Sequence, residues 1–321
     1  MNSFPSDELA NWIPWKLSGT SCNWLYLGDK RFTEPFFSDT ISAIRNLNEN
    51  CSRHSVISDL EIMTEWSEDI TALNPSAIIF HVSRCGSTLL SQLFSLDETN
   101  IVLSEVPFFD DLLRLPYKNS VEIKVINNYL SDAIKFYARK RNGKEKHLFI
   151  KTDSWHLHFY TQLRNLFPSV PFILLFRNPK EVIISHQKQR GMQAVPGLIE
   201  PEVFGFSKEK IKETNLDVYM TNVLEGYFKK IIEISKADKD VLLFNYNEGM
   251  NNVLKKISSF LNLNSSKESQ ELSTERIRFH AKHPQQLFAE NYKESSTKNF
   301  MIPLLQLYEE LEDIRLTKPI I

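Results

Sequence analysis

A short loop of small and polar residues has the composition of a phosphate-binding site. It reads Ser83-Arg84-Cys85-Gly86-Ser87-Thr88, after the apolar run 77–82 and before leucines at helical spacing. A buried strand, a tight loop and a helix start in this order direct several backbone N–H groups and a helix N-terminus at one anion. The loop therefore predicts an anion site, for which phosphate is the usual ligand.

The same loop lacks the residues of a magnesium-nucleotide site. A Walker A loop needs two spaced glycines and then Gly-Lys-Ser/Thr, with the lysine on the β/γ-phosphates. Here no lysine follows Gly86, and the cation of the loop, Arg84, precedes it. This arrangement favours a charged clamp on a terminal phosphate-like group over a site for Mg-ATP.

A second candidate anion site lies further along the chain. The apolar run 171–176 predicts another buried strand that ends at Arg177, and Pro179 suits the first turn of a following helix. Ser185 lies on that predicted helix. The forked donors of Arg177 and the hydroxyl of Ser185 can therefore converge on one more phosphate.

In this order the two motifs resemble those of the sulfotransferases. Residues 83–89 look like the 5′-phosphosulfate loop in its Arg-Ser-Gly-Thr-Thr-Leu form, and 177–185 look like the 3′-phosphate motif. Shorter stretches are also similar to the family, namely 148–153, 165–168, 241–246 and 253–263. The resemblance implies an enzyme that uses 3′-phosphoadenosine-5′-phosphosulfate (PAPS), releases 3′-phosphoadenosine-5′-phosphate (PAP) and needs no metal. The acceptor, a hydroxyl or an amine, is not identified by it.

The resemblance also implies roles for individual residues. Arg84 would stabilise the leaving 5′-phosphate and the transferring sulfonate, and its role would be electrostatic because arginine does not readily release a proton. Cys85 could be a nucleophile, but no histidine lies near it in the sequence, so we interpret its side chain as filling space in the loop. The residues expected to contact the donor are Ser83, Arg84, Cys85, Gly86, Ser87, Thr88, Arg177 and Ser185.

Two candidates remain for the base that removes the acceptor proton. Glu105 follows a predicted strand, at a place where relatives with the arginine-type loop have a catalytic glutamate, and it is expected to face the same crevice as Arg84. His156, with His158 beside it, follows the predicted strand 147–151. Imidazole suits proton transfer at neutral pH, and cytosolic relatives use a histidine from that region.

Strands and helices alternate from residue 77 onward, which predicts an α/β fold with a parallel sheet wrapped by helices, and the resemblance implies that this fold is of the P-loop type. This is a three-layer structure with a central parallel sheet flanked by helices, and ligands bind at the carboxyl ends of its strands. Residues 191–206 are predicted to form a long loop, a candidate lid. The predicted strands are 77–82, 101–103, 147–151, 171–176 and 240–245, and the predicted helices are 87–96, 120–141, 157–167, 179–190, 207–236 and 250–262.

Residues 1–72 differ from the rest of the chain in composition. They hold four of the five tryptophans. Because aromatic side chains bury large areas, we predict an aromatic-rich N-terminal extension packed on a main domain of residues 73–321. A helix is predicted over residues 41–48, with an N-cap signal at 38–40.

Charge and cysteine content exclude several classes of protein. The 38 basic and 40 acidic side chains leave a net charge of −2, which argues against nucleic acid or an anionic membrane as a partner. Three widely spaced cysteines form no disulfide framework, and neither a signal peptide nor a membrane span is expected. We therefore expect a cytoplasmic protein.

A basic cluster with Arg276, Arg278 and Lys282 is a candidate for further contacts with the donor.

Two alternative functions stay open. A P-loop kinase of a small molecule would bind Mg-ATP, and a catalytically inactive protein of the same fold would serve as a nucleotide-binding or scaffold module. PAP should raise the melting temperature of a sulfotransferase and Mg-ATP that of a kinase, because a ligand stabilises the folded state that binds it. Neither ligand need stabilise a scaffold.

Donor binding and turnover are expected to be independent of metal, because PAPS presents no γ-phosphate for a magnesium ion to bridge. Excess EDTA should leave PAP binding, measured by calorimetry, and product formation unchanged. Activity that disappears with EDTA and returns with magnesium would contradict the prediction and favour the kinase.

Overall fold

The computed structural model describes residues 9, 11–51, 55–263, 266–279, 281, 285–287 and 298–318. In chain order its strands and helices are β1 Trp12–Ser18, β2 Ser21–Tyr26, α1 Phe37–Ile44, β3 Val56–Asp59, α2 Leu60–Ser67, β4 Pro75–His81, α3 Ser87–Ser95, β5 Asn100–Ser104, α4 Pro107–Lys118, α5 Ile123–Ala138, β6 His147–Lys151, α6 Tyr160–Leu166, β7 Phe172–Phe176, α7 Pro179–Lys188, α8 Lys208–Ile211, α9 Leu216–Ala237, β8 Val241–Asn245, α10 Met250–Phe260, α11 Lys267–Arg276 and α12 Ile302–Thr317.

The chain divides into two compact units. The first comprises Met1–Ser76 with Phe94–Lys151, and the second comprises Ala77–Leu93 with Thr152–Ile321. The predicted parallel sheet is confirmed, with the strand order β5-β6-β4-β7-β8. Its strands are almost wholly buried and mostly apolar, as expected where helices cover both faces of a parallel sheet.

The first unit contains an antiparallel sheet, β1-β2-β3, that the sequence did not predict. The side chain of Trp24 on β2 is buried, and its ring centroid lies 5.4 Å from that of Trp66 and 4.8 Å from that of Phe136. The indole N–H donates to Ser58 Oγ on β3 at 2.9 Å. Trp24 therefore lies in the core of the first unit.

The helix expected over 41–48 is displaced. It is α1, which begins at Phe37 and ends at Ile44, and its N-cap residue Phe36 makes no side-chain cap. After the helix, the Asn50 amide donates to the Ile44 carbonyl at 2.9 Å and exchanges hydrogen bonds with the backbone of Tyr26. Asn50 thus satisfies a carbonyl at the end of the helix, which is a common way for a helix to finish.

The prediction of one long helix over 207–236 is also wrong. The chain forms a short α8 and a separate α9, because Asn215 caps α9 by accepting from the N–H groups of Asp217 and Val218. Side-chain capping of this kind competes with helix continuation. The segment 191–206 is mostly irregular, with 3₁₀ turns at Met192–Ala194 and Pro201–Phe204.

Among the described residues, none of the helices is both long enough and apolar enough to cross a bilayer.

Replacing Ser58 should destabilise the first unit, because Ser58→Ala leaves the buried indole N–H of Trp24 without its acceptor. The expected loss is about 1–3 kcal/mol of the free energy of unfolding, the usual cost of an unpaired buried donor. Urea unfolding followed by tryptophan fluorescence measures it. Ser42→Ala, at an exposed serine of α1, is the control and should change the free energy by less than about 0.5 kcal/mol. Equal effects of the two variants would contradict the assigned role of Ser58.

Candidate functional site

The anion loop, residues 83–88, turns strand β4 into helix α3 through a left-handed backbone. Ser83 has φ 70°, Arg84 has φ 51° and Gly86 has φ 81°. Helix α3 starts at Ser87, and the Gly86 carbonyl accepts from the Leu90 N–H at 3.0 Å. The N–H groups of the first turn of a helix have no acceptor within the helix, so this turn offers several donors to an anion.

Two residues in succession with positive φ are strained unless their surroundings hold them. His81, buried at the end of β4, accepts from the Ser83 N–H through Nδ1 at 3.0 Å. Its Nε2 lies 2.9 Å from the Thr152 carbonyl. Because Nδ1 accepts, the proton of the neutral ring is on Nε2 and donates to that carbonyl. A buried neutral histidine therefore fixes the first residue of the turn.

Arg177 fixes the second residue of the turn. Its guanidinium is buried, and Nη1 donates to the Arg84 carbonyl at 3.3 Å. Nε donates to the Glu181 carboxylate at 2.6 Å, and Cζ lies 4.2 Å from the ring centroid of Tyr246. Three contacts thus orient the guanidinium. The structure brings together the two motifs that the sequence suggested, through Arg177 and Arg84.

The side chain of Arg84 lies against the end of helix α7. Its Nη2 donates to the Gln189 carbonyl at 2.5 Å, just past the last residue of that helix. The helix begins where predicted, with Pro179 in its first turn and the Asn178 side chain as its cap. Ser185, the other expected donor on α7, is half-buried.

Cys85 and Gly86 pack the underside of the loop. The Cys85 thiol is fully buried and donates to the Leu175 carbonyl of β7 at 3.5 Å, so the small side chain ties the loop to the strand. A Cβ atom at Gly86 would lie 2.5 Å from Cδ2 of Tyr246 and 2.8 Å from Cε of Met250. Only glycine fits between the loop and these two side chains.

Sequence reasoning missed several residues that support the loop. They are His81, His186, Gln193 and Tyr246, and none of them belongs to the loop itself. One signal was available, since a histidine at the end of an otherwise apolar strand calls for a buried polar partner.

In the first unit, Glu105 pairs with Lys151. Glu105 follows β5 with a left-handed φ of 53°, and its N–H donates to the Lys151 carbonyl at 2.8 Å. The Lys151 ammonium, whose side chain is fully buried, lies 2.5 Å from the Glu105 carboxylate, which is 26% exposed. A buried ammonium needs such a counter-charge. Lys151 is a further charged residue that the sequence reasoning did not single out.

The two histidines proposed as alternative bases have other surroundings. His156 is buried and accepts from the Asp153 N–H through Nδ1 at 3.3 Å, as part of a capping box at the start of a 3₁₀ turn. Burial lowers the pKa of His158 to about 4, with a smaller effect from Lys230. His158 is therefore neutral at physiological pH.

The C-terminal basic cluster is only partly described. Arg276 donates to Gln92 Oε1 of α3 at 2.5 Å and to the carbonyls of Phe279 and Ala281. Arg278 is exposed, and Lys282 lies outside the described residues. The expectation of donor contacts from this cluster stays a prediction.

Gly86→Ala should destabilise the protein through steric overlap with Tyr246 and Met250, since overpacking costs about 1–3 kcal/mol. Gly197→Ala is a matched control, because Gly197 has φ 82° but open space around its Cβ position. The control isolates the backbone cost, roughly 1–2 kcal/mol. Denaturant unfolding of both variants measures the difference, and equal losses would contradict the close approach at Gly86.

Comparison with known proteins identifies the family. The model of the sulfotransferase domain family matches residues 74–302. A search of curated protein sequences finds no match. Similar solved structures are a sulfotransferase of Mycobacterium avium (13% identity, 79% of each chain covered, TM-score 0.47), the sulfotransferase domain of the Synechococcus PCC 7002 olefin synthase (15% identity, 77% of this chain and 97% of that chain, TM-score 0.47) and a mouse sulfotransferase complexed with PAP (14% identity, 83% of this chain and 94% of that chain, TM-score 0.39). Since the family model spans well over half of its residues, the chain belongs to the sulfotransferase family.

Proposed function

We propose that the chain transfers a sulfuryl group from PAPS to a hydroxyl or amine acceptor and releases PAP. The observation that best supports this is the left-handed turn at Ser83 and Arg84, which opens onto the N-terminus of α3 with Arg177 hydrogen-bonded to it. The loop has no lysine after Gly86, which favours a terminal phosphosulfate over Mg-ATP. A P-loop kinase and an inactive scaffold are the alternatives.

Two groups of residues are proposed to bind the donor. The 5′-phosphosulfate is assigned to the anion loop, with backbone N–H groups at the start of α3 and the hydroxyls of Ser87 and Thr88 as donors. The 3′-phosphate is assigned to Arg177 and Ser185, because a guanidinium supplies forked, charged donors. The complete proposed set is Ser83, Arg84, Cys85, Gly86, Ser87, Thr88, Arg177 and Ser185.

The reaction itself requires little covalent help from the protein. The acceptor atom bonds to sulfur while the bond from sulfur to the 5′-phosphate oxygen breaks, and the electron pair of that bond stays on the phosphate. Negative charge therefore grows on the leaving group, where Arg84 and the loop N–H groups are proposed to stabilise it. Like loose phosphoryl transfer, this chemistry depends mainly on positioning and on charge stabilisation.

We propose Glu105 as the base that takes the acceptor proton. Its carboxylate is partly exposed, so it is accessible to a substrate, and Lys151 offsets its charge. His156 is the alternative, but its Nδ1 already accepts a hydrogen bond in the capping box.

We also propose that the enzyme is cytoplasmic, because its three widely spaced cysteines form no disulfide framework. Residues 1–72 are proposed to be an aromatic-rich extension of the main domain.

Screening acceptors with PAPS by mass spectrometry tests the proposed function. A sulfotransferase should add one sulfuryl group to some phenol, sugar, lipid or peptide of the panel and produce PAP in equal amount. Phosphorylated products formed from Mg-ATP, with none formed from PAPS, would favour the kinase.

Arg177→Ala should weaken PAP binding by about 1.5–3 kcal/mol, the usual value of a hydrogen bond to a charged group. Ser185→Ala should cost less, because it removes one neutral donor. Adenosine 5′-phosphosulfate lacks the 3′-phosphate, so Arg177→Ala should weaken its binding in calorimetry much less than it weakens PAP binding, and the loss that remains measures the contact of Arg177 with the Arg84 carbonyl. If Arg177→Ala prefers PAPS over adenosine 5′-phosphosulfate as strongly as the wild type does, Arg177 does not bind the 3′-phosphate.

Glu105→Gln should keep PAP affinity and lower turnover by about 10²–10⁴-fold, the usual range for loss of a general base. Glu98→Gln is a matched control, since Glu98 pairs with Lys144 at 2.9 Å on the surface of the same unit. Steady-state kinetics and PAP titrations of both variants make the comparison. Normal turnover of Glu105→Gln would move the base to His156 or to the acceptor itself.

A further inference from the structure

The hydroxyl of Ser83 is held by two side chains from outside the anion loop. Ser83 is 7% exposed, and its Oγ lies 2.8 Å from Gln193 Nε2 and 3.2 Å from His186 Nε2. Within the described part of the chain, these two nitrogens are the hydrogen-bond partners of that oxygen. His186 is fully buried and Gln193 is 5% exposed, so water does not compete for the contacts.

Both nitrogens donate to the oxygen. The Gly191 N–H donates to His186 Nδ1 at 3.3 Å, so Nδ1 carries no proton and the hydrogen of the neutral ring is on Nε2. The Gln193 amide nitrogen is a donor by its chemistry. A hydroxyl oxygen has two lone pairs and one hydrogen, so both lone pairs of Ser83 are occupied and its hydrogen is left to donate.

A buried hydroxyl hydrogen requires an acceptor, and its place in the loop indicates which one. Ser83 is the first residue of the left-handed turn, and its own N–H already donates to His81. The residues that follow it present the N–H groups of the first turn of α3, which require acceptors as well. An anion oxygen in the loop satisfies both sets of donors.

We propose that Ser83 donates its hydroxyl hydrogen to an oxygen of the 5′-phosphosulfate, and that His186 and Gln193 are positioning residues that direct this hydrogen. The inference rests on the proposed sulfotransferase function and deepens it. Gln193 belongs to the segment 191–206 and His186 to α7. Two elements outside the anion loop therefore set the donor pattern of the loop.

The first test compares two ligands of Ser83→Gly. Glycine adopts the φ of 70° without strain, so the turn keeps its shape while the hydroxyl is removed. Calorimetry should show PAP binding weakened about 10- to 100-fold, the range for a hydrogen bond to a charged group. Adenosine 3′-phosphate, which lacks the 5′-phosphate, should bind as it does to the wild type. Ser91→Ala is the control, since buried Ser91 donates to the Ser87 carbonyl within α3, and it should bind both ligands normally.

The second test examines the positioning residues. As a single substitution, Gln193→Leu should weaken PAP binding severalfold. Combined with Ser83→Gly, it should cause no further loss of affinity, because the two residues act through one hydroxyl. His186→Gln keeps a donor near the position of Nε2 and should bind PAP better than His186→Phe, which keeps only the volume of the ring.

Different outcomes separate the inference from the proposed function. A wild type that binds no PAP contradicts the proposed function. If the wild type binds PAP and Ser83→Gly binds it with the same affinity, the inference is wrong and the proposed function still stands. Equal losses of PAP and adenosine 3′-phosphate in Ser83→Gly would show a structural role and overturn the inference. Additive losses in Ser83→Gly and Gln193→Leu would overturn the positioning role of Gln193.

Discussion

The left-handed turn at Ser83 and Arg84 is the constraint on which the anion loop depends. This turn joins the end of strand β4 to the start of helix α3, and it directs the backbone N–H groups of the loop at one point. Two successive residues other than glycine do not keep a positive φ by themselves. Their backbone is fixed by His81 at the Ser83 N–H and by Arg177 at the Arg84 carbonyl. The strain is thus offset by one hydrogen bond to His81, two residues earlier, and by one from Arg177, which is far away in the sequence.

Buried charge is paired in each unit. In the second unit, the Arg177 guanidinium is bound to Glu181 and lies over Tyr246, and in the first unit the Lys151 ammonium is bound to Glu105. A buried cation without a partner would be costly, and removing one partner usually costs more than the pair contributes. The carboxylates therefore offset the cost of keeping these cations where water does not screen them. Such preorganised charge is what sulfuryl transfer requires.

The sequence predicted the parts of the fold that depend on local pattern. The parallel strands and the tight loop between β4 and α3 follow from short apolar runs and from glycine next to small polar residues. The break before α9 was missed because it depends on one capping side chain, that of Asn215. The contacts of His186 and Gln193 with Ser83 were missed because they form only when the folded chain brings distant residues together. The spacing of apolar residues along the chain carries no information about such contacts.

The sharpest test of donor binding by the anion loop is a crystal structure of the protein with bound PAP. We expect the 5′-phosphate within hydrogen-bond distance of the backbone N–H groups at the start of α3 and of Ser83 Oγ, without a metal ion. We also expect the 3′-phosphate on Arg177 and Ser185. PAP bound elsewhere on the chain, or bound with its 3′-phosphate in the anion loop, would show that these assignments are wrong.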